Sequence, residues 1–140
     1  MELVGGRKLT INDIVTMASI VEAEAATDDD RRKIASVIYN RLNTGMPLGI
    51  DATILYVHPE HEGAPTAEML AEDSPYNTRD RIGLTPTPIC NPGLASLKAA
   101  LNPASTNYYY YALDMESGTH RFFTNMNEFN AFVATQDYGG

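Results

Sequence analysis

Cysteine occurs once in these 140 residues, at Cys90, so an intrachain disulfide and a thiolate metal cluster are both excluded. Basic side chains are scarce as well. Ten Lys and Arg stand against eighteen Asp and Glu, giving a net charge of −8 and a pI of about 4.7. A protein that tracks nucleic-acid phosphates needs a basic patch, so that class is set aside. No apolar run approaches the roughly 20 residues of a membrane span, and the first residues carry no signal-peptide pattern. The three histidines lack the helical H-x-x-x-H spacing of a zinc site. His58 and His61 share a loop with Glu60 and Glu62, which reads as exposed loop rather than as a metal centre. Nothing in the pattern calls for a metal or a cofactor.

The content that remains, 44% hydrophobic and 20% charged, is that of a globular protein, and the length suits one domain with one core. Val4-Gly-Gly-Arg-Lys8 reads as a linker or a cut end. Periodicity then predicts a first helix over residues 10–26, with Thr10 and Asp13 placed as a capping box. Ile11, Ile14, Val15, Ala18, Val21 and Ala25 share one face of it. Glu22 falls inside that stripe, roughly 40° from its centre, and Glu24 falls on the other side. A carboxyl group in apolar surroundings resists ionisation, which keeps an acid protonated near neutral pH for general-acid catalysis. The pattern therefore singles out Glu22, with a raised pKa, as a catalytic acid. The alternative is a Glu paired with an Arg, or one at the stripe's edge that reaches water.

Residues 28–30 are expected to cap a second helix over 31–42, whose apolar face includes Arg41. An Arg there wants a carboxylate, Glu22 or Asp51, unless its stem packs while its head reaches water. Asp51 is placed to cap a short piece over 51–56, and one helical turn is expected over 66–71. Residues 74–78 and 83–92 form a long irregular stretch of the kind that carries function. Its Tyr76, Asn77, Thr78 and Asn91 suit the ring faces and hydroxyls of a sugar, and suit a rigid loop equally. Asn91 caps and Pro92 opens a third helix that ends before Asn102. Residues 108–113 and 120–124 read as a β-hairpin, followed by a last helix over 125–136. The fold class is α+β: a single domain with helices around a small antiparallel sheet and the catalytic Glu on the first long helix.

Ala18-Ser-Ile-Val-Glu-Ala-Glu-Ala25, Ile38-Tyr-Asn-Arg-Leu42, Gly45-Met-Pro-Leu48, Asp51, Ser74-Pro-Tyr-Asn-Thr78, Pro88-Ile-Cys-Asn-Pro-Gly-Leu-Ala-Ser-Leu97 and Ala99-Ala-Leu-Asn-Pro-Ala104 follow one another along nearly the whole chain. In order and spacing this series resembles the YceG-like family, the MltG-type endolytic murein transglycosylases of bacteria. The resemblance implies that residues 9–140 are a lytic transglycosylase catalytic domain. It also implies an N-terminal membrane anchor and a small preceding domain, both outside this chain, and a workplace on the extracytoplasmic face of the membrane. The family's catalytic glutamate is the first Glu of I-V-E-x-E, which falls on Glu22. Relatives often carry Leu-Gln-Ser-Asp where this chain has Leu48-Gly-Ile-Asp51, so polar groups expected near the cleft are missing at Gly49 and Ile50.

On that resemblance the partner is a peptidoglycan glycan strand, with peptidoglycan synthases as further partners and no cofactor. Glu22 donates a proton to the glycosidic oxygen between N-acetylmuramic acid and N-acetylglucosamine. It then takes the proton of the muramoyl C6 hydroxyl, leaving a 1,6-anhydro end. Asp51, Tyr76, Asn77, Thr78, Asn91 and Asn40 are the candidate substrate contacts, with a structural reading open for Asn40 and Arg41. Endolytic cutting implies an open groove with Glu22 on its floor, walled by residues 74–91 and 45–51. Two rivals are a hydrolase using Glu22 with Asp51 as second carboxylate, and a non-catalytic glycan-binding module.

Overall fold

A computed structural model describes residues 3, 4 and 7–138. Strands β1 (Leu3–Val4) and β2 (Arg7–Lys8) pair antiparallel in the stretch expected as a linker. Helix α1 (Ile11–Glu24) starts with the expected reciprocal cap: Thr10 Oγ1 accepts the Asp13 N–H, and Asp13 Oδ2 accepts the Thr10 N–H. Helix α2 (Asp28–Thr44) begins three residues earlier than expected, because Thr27 supplies the capping oxygen in place of the aspartates. Asp28, Asp29 and Asp30 instead occupy the first turn, where the helix dipole favours negative charge.

Short helices α3 (Asp51–Leu55) and α4 (Ala67–Leu70) punctuate the irregular middle. Asp51 is the first helical residue of α3 and makes no capping bond; Ile50 holds the cap position. Helix α5 (Leu94–Leu101) starts at Gly93, so Asn91 and Pro92 lie before it rather than at its cap. Strands β3 (Tyr110–Asp114) and β4 (Thr119–Phe123) form the predicted hairpin, in register from Tyr110 opposite Phe123 to Asp114 opposite Thr119. Helix α6 (Met126–Val133) packs on that hairpin through Phe129 against Tyr110 and Phe132 against Phe123.

The core lies where α1, α2 and α5 meet, around Ile14, Met17, Val21, Ile34, Ile38 and Ala100. Helix α1 is its axis. Residues Thr16, Met17, Ala18, Ser19, Ile20 and Val21 are all buried, so this helix is covered all round rather than along one stripe. Ile11, assigned to that stripe, is 83% exposed in the first turn. The consequence for function is direct: both flanks of α1 face protein, and the side on which Glu24 projects is covered by the hairpin.

Candidate active site

Glu22 and Glu24 project from opposite sides of α1, roughly 200° apart. Their surroundings are the reverse of the expected ones. Glu22 Oε1 accepts the main-chain N–H of Gly93 at 2.9 Å and the Ser96 hydroxyl at 3.0 Å, and its Oε2 lies 3.5 Å from Arg31 Nη2. The Gly93 bond most of all, then that of Ser96, holds the Glu22 carboxyl below its ordinary range. This group is an ionised anchor for the N-terminus of α5, which has no side-chain cap of its own. Arg31 is bound in turn to Ser96 Oγ and Asp28, so the anchor is braced from α2 as well.

Glu24 lies on the flank covered by β3 and β4. Its Oε1 accepts the phenol of Tyr111 at 2.7 Å. Burial pushes its pKa up, and Asp51 adds to the rise, while the Tyr111 bond and a charge on His120 oppose it. Burial and the neighbouring carboxylate push the Tyr111 phenol well above its usual range, so it remains a donor. Glu24, Arg41, Leu48, Gly49, Ile50, Asp51, Arg79, Tyr111 and Phe129 line one cleft of about 260 Å³. A partly buried carboxyl that resists ionisation, set in a cleft with charged and polar neighbours, has the chemistry of a general acid.

Leu48, Gly49, Ile50 and Asp51 of the turn form one wall of this cleft, and Arg79 is contributed by the 74–91 stretch. Gly49 N donates to Thr78 O at 2.8 Å and Ile50 N to Thr78 Oγ1 at 2.9 Å, which join the 45–51 turn to the 74–91 stretch. Arg79 brings the stretch to the Glu24 cleft, while Cys90 at its far end is held against Ser19 and lies near the Glu22 charge, so the stretch borders both carboxyls. Gly49 has φ +63°, and a Cβ there would stand 3.3 Å from Arg41 Nη1; glycine meets both demands. Ile50 is buried in the core, so its apolar character follows from its position. Arg41 gives its guanidinium to the carbonyls of Tyr109, Pro47 and Leu48 and lies over the Tyr110 ring, in place of the expected carboxylate partner.

Of the expected substrate contacts, Asp51 lines the cleft, paired with Arg79 at 2.8 Å. Asn77 and Thr78 are buried and their polar atoms are used inside the protein. Asn77 Nδ2 donates to the carbonyls of Leu70 and Glu72, and its Oδ1 accepts the Arg79 N–H. Thr78 Oγ1 bonds Ile50 and Thr53. Both are corrected from sugar contacts to loop fasteners, because no polar edge is left facing the cleft. Asn40 likewise ties α2 to the carbonyls of Thr106 and Tyr108. Tyr76 is half-buried, tilted against Tyr56 and bonded to Thr87. Asn91 is exposed ahead of α5, on the Glu22 flank. Sequence reasoning did not place Glu24, Tyr111 or Arg79 on a common cleft. The signal for Tyr111 was the alternation of the tyrosine run, which sends every second ring to the same side.

His58 is bonded to Glu72 and His61 to the Ala64 carbonyl. Among the described residues no group of three His, Cys, Asp or Glu is placed to hold a metal ion, and no helix is long and apolar enough to cross a membrane.

With this geometry in hand, the comparisons with known proteins are specific. The model of the YceG-like family matches residues 3–135. An endolytic murein transglycosylase of Bacillus subtilis (strain 168) is 45% identical over 123 residues, which is 88% of this chain and 34% of that protein. An endolytic murein transglycosylase of Streptococcus pneumoniae serotype 2 is 35% identical over 133 residues, covering 91% of this chain and 24% of that protein. A crystal structure of a yceG-like protein from Listeria monocytogenes superposes with a TM-score of 0.83 at 41% identity, over 89% of this chain and 40% of that one. The chain thus spans about a third or less of the two relatives' length.

Proposed function

From the premise that this chain belongs to the YceG-like family, we propose that it is the catalytic domain of an endolytic peptidoglycan lytic transglycosylase, with Glu24 as its general acid and base. The observation that carries the assignment is geometric: Glu24 lines the cleft and accepts the Tyr111 phenol, whereas both carboxylate oxygens of Glu22 are engaged by Gly93, Ser96 and Arg31. Protonated Glu24 donates to the oxygen of the glycosidic bond between N-acetylmuramic acid and N-acetylglucosamine. The oxocarbenium-like centre is stabilised by the substrate's own acetamido group. Ionised Glu24 then removes the proton of the muramoyl C6 hydroxyl, which closes on C1 and leaves a 1,6-anhydro end. Tyr111 orients the carboxyl and offers a hydrogen bond that strengthens as the negative charge develops.

Because the relatives are longer, the strand substrate, the synthase partners and the site of action are part of this reading. On it, the whole protein works outside the cell membrane, held by an anchor beyond this chain. Asp51 on the same cleft favours one second reading, a hydrolase with Asp51 as the second carboxylate. Digestion of purified peptidoglycan followed by mass analysis separates them. Anhydro-muramic ends on long fragments support the transglycosylase; products one water heavier support the hydrolase; intact strands reject both.

A further inference from the structure

Behind the cleft lies a buried pair that the proton transfers do not use. Asp30 Oδ2, in the first turn of α2, accepts the His120 main-chain N–H at 3.0 Å and lies 2.8 Å from His120 Nδ1. The two side chains are only 9% and 5% exposed. With both bonds ending on one oxygen, the imidazole has a fixed orientation and Nδ1 carries the proton. Its ring meets that of Tyr111 edge-to-face, with centroids 5.3 Å apart and planes at 79°. Tyr111 then reaches Glu24 at 2.7 Å. Three elements are joined in series, from α2 through the hairpin to α1.

We propose that the Asp30–His120 pair is a positioning device for the acid: it fixes the Tyr111 ring, and through the phenol it sets the rotamer and the ionisation of Glu24. The inference rests on the assignment of Glu24 made above. Asp30 contributes the fixed charge, His120 the contact with Tyr111, and neither touches substrate. The charged and titratable groups facing Glu24 are Tyr111 and His120 from the hairpin, Asp51 from α3, and Arg41 and Arg79 across the cleft. Facing His120 are Asp30, Tyr111, Glu24 and the Phe122 ring, over which Lys33 lies. A cation at His120 stabilises the ionised form of Glu24, so its removal raises the Glu24 pKa. A general acid with a higher pKa remains protonated to higher pH.

The test uses this chain with Asp30→Asn, which keeps an acceptor for the His120 N–H but removes the charge, and with His120→Asn, which keeps a donor for Asp30 but removes the ring. Two readouts are taken: the pH dependence of kcat on glycan strands, and the Glu24 carboxyl titration by NMR, with thermal melting to confirm folding. The expected result is a fall in kcat with KM unchanged and a moved Glu24 titration in both variants, the titration and the alkaline limb moving to higher pH where His120 itself is removed. Folded variants with wild-type kcat and an unmoved Glu24 titration overturn the proposal. If His120→Asn does not fold, Asp30→Asn decides by the same two readouts: a lowered kcat with a moved Glu24 titration supports the coupling, and wild-type kcat with an unmoved titration overturns it. The NMR arm is independent of activity. An inactive assignment of Glu24 therefore shows as Glu24→Gln with full turnover, whatever the titration gives.

Discussion

Glu22 Oε1 stands 2.9 Å from the main-chain nitrogen of Gly93, and a carboxylate on that N–H caps a helix whose own cap residue has no side chain. A group that is more acidic folded than unfolded adds stability above its unfolded pKa and loses it as pH falls through the folded one. Glu22 is such a group, lowered from an ordinary value of 4.5. Glu22→Gln keeps an acceptor but removes the charge. The variant is expected to melt below wild type at neutral pH, and the gap is expected to close as the solution is acidified below about 4.5. Melting curves across this range check it; a gap that is constant with pH rejects the ionised anchor.

Glu24→Gln is expected to remove glycan cleavage while the fold and the melting temperature stay close to wild type. Loss of a general acid and base costs about 10²–10⁴-fold in rate. Glu22→Gln, measured beside it at neutral pH, is expected to keep most of its turnover per folded molecule. The reverse ranking of the two variants would return the chemistry to Glu22.

Two cleft substitutions should move the alkaline limb of the activity profile in opposite directions. Asp51 raises the Glu24 pKa through its negative charge, so Asp51→Asn lowers that pKa and the enzyme fails at lower pH. Tyr111 lowers it by donating to the carboxylate, so Tyr111→Phe raises it and the limb moves up, with a smaller kcat. Profiles of kcat against pH for both variants are decisive, because a merely misfolded site moves neither limb systematically.

The elements themselves were legible in the residues, since caps and periods are local. Thr10 with Asp13, Gly45 after the second helix and the alternating tyrosines placed α1, the end of α2 and the hairpin to within a few residues. The side on which a carboxylate works was not legible. Stripe analysis assumes one buried face, and α1 has protein on both flanks, so the apolar residues turned Glu22 toward the protein, where it meets α5, but gave no sign that Glu24 is covered by the hairpin. Which flank is an anchor and which a cleft depends on Gly93 and Tyr111, residues 71 and 87 positions further along the chain than the glutamates they bind. The capping aspartates failed for a smaller reason: Thr27, one residue ahead of them, holds the cap position and accepts the Asp30 N–H.

Asn77 offers the clearest separation of a loop fastener from a sugar contact. Its amide is 1% exposed and bonds Leu70 O at 3.0 Å, Glu72 O at 2.8 Å and the Arg79 N–H at 3.0 Å. Asn77→Ala strands two carbonyls and one N–H in a place water reaches poorly, and a buried group left unpaired costs about 1–3 kcal/mol. Part of that cost is relieved by movement of the loop, so a loss of about 2–3 kcal/mol in unfolding free energy is expected by urea denaturation. Arg79 is the next link. Its main chain is held by Asn77 and its guanidinium by Asp51, so a loosened loop weakens the cleft wall without removing any group from it. Kinetics on the folded fraction should therefore show kcat close to wild type, with KM raised through the displaced wall. A variant as stable as wild type, with substrate binding lost, would instead mean that the Asn77 amide turns outward to meet the sugar.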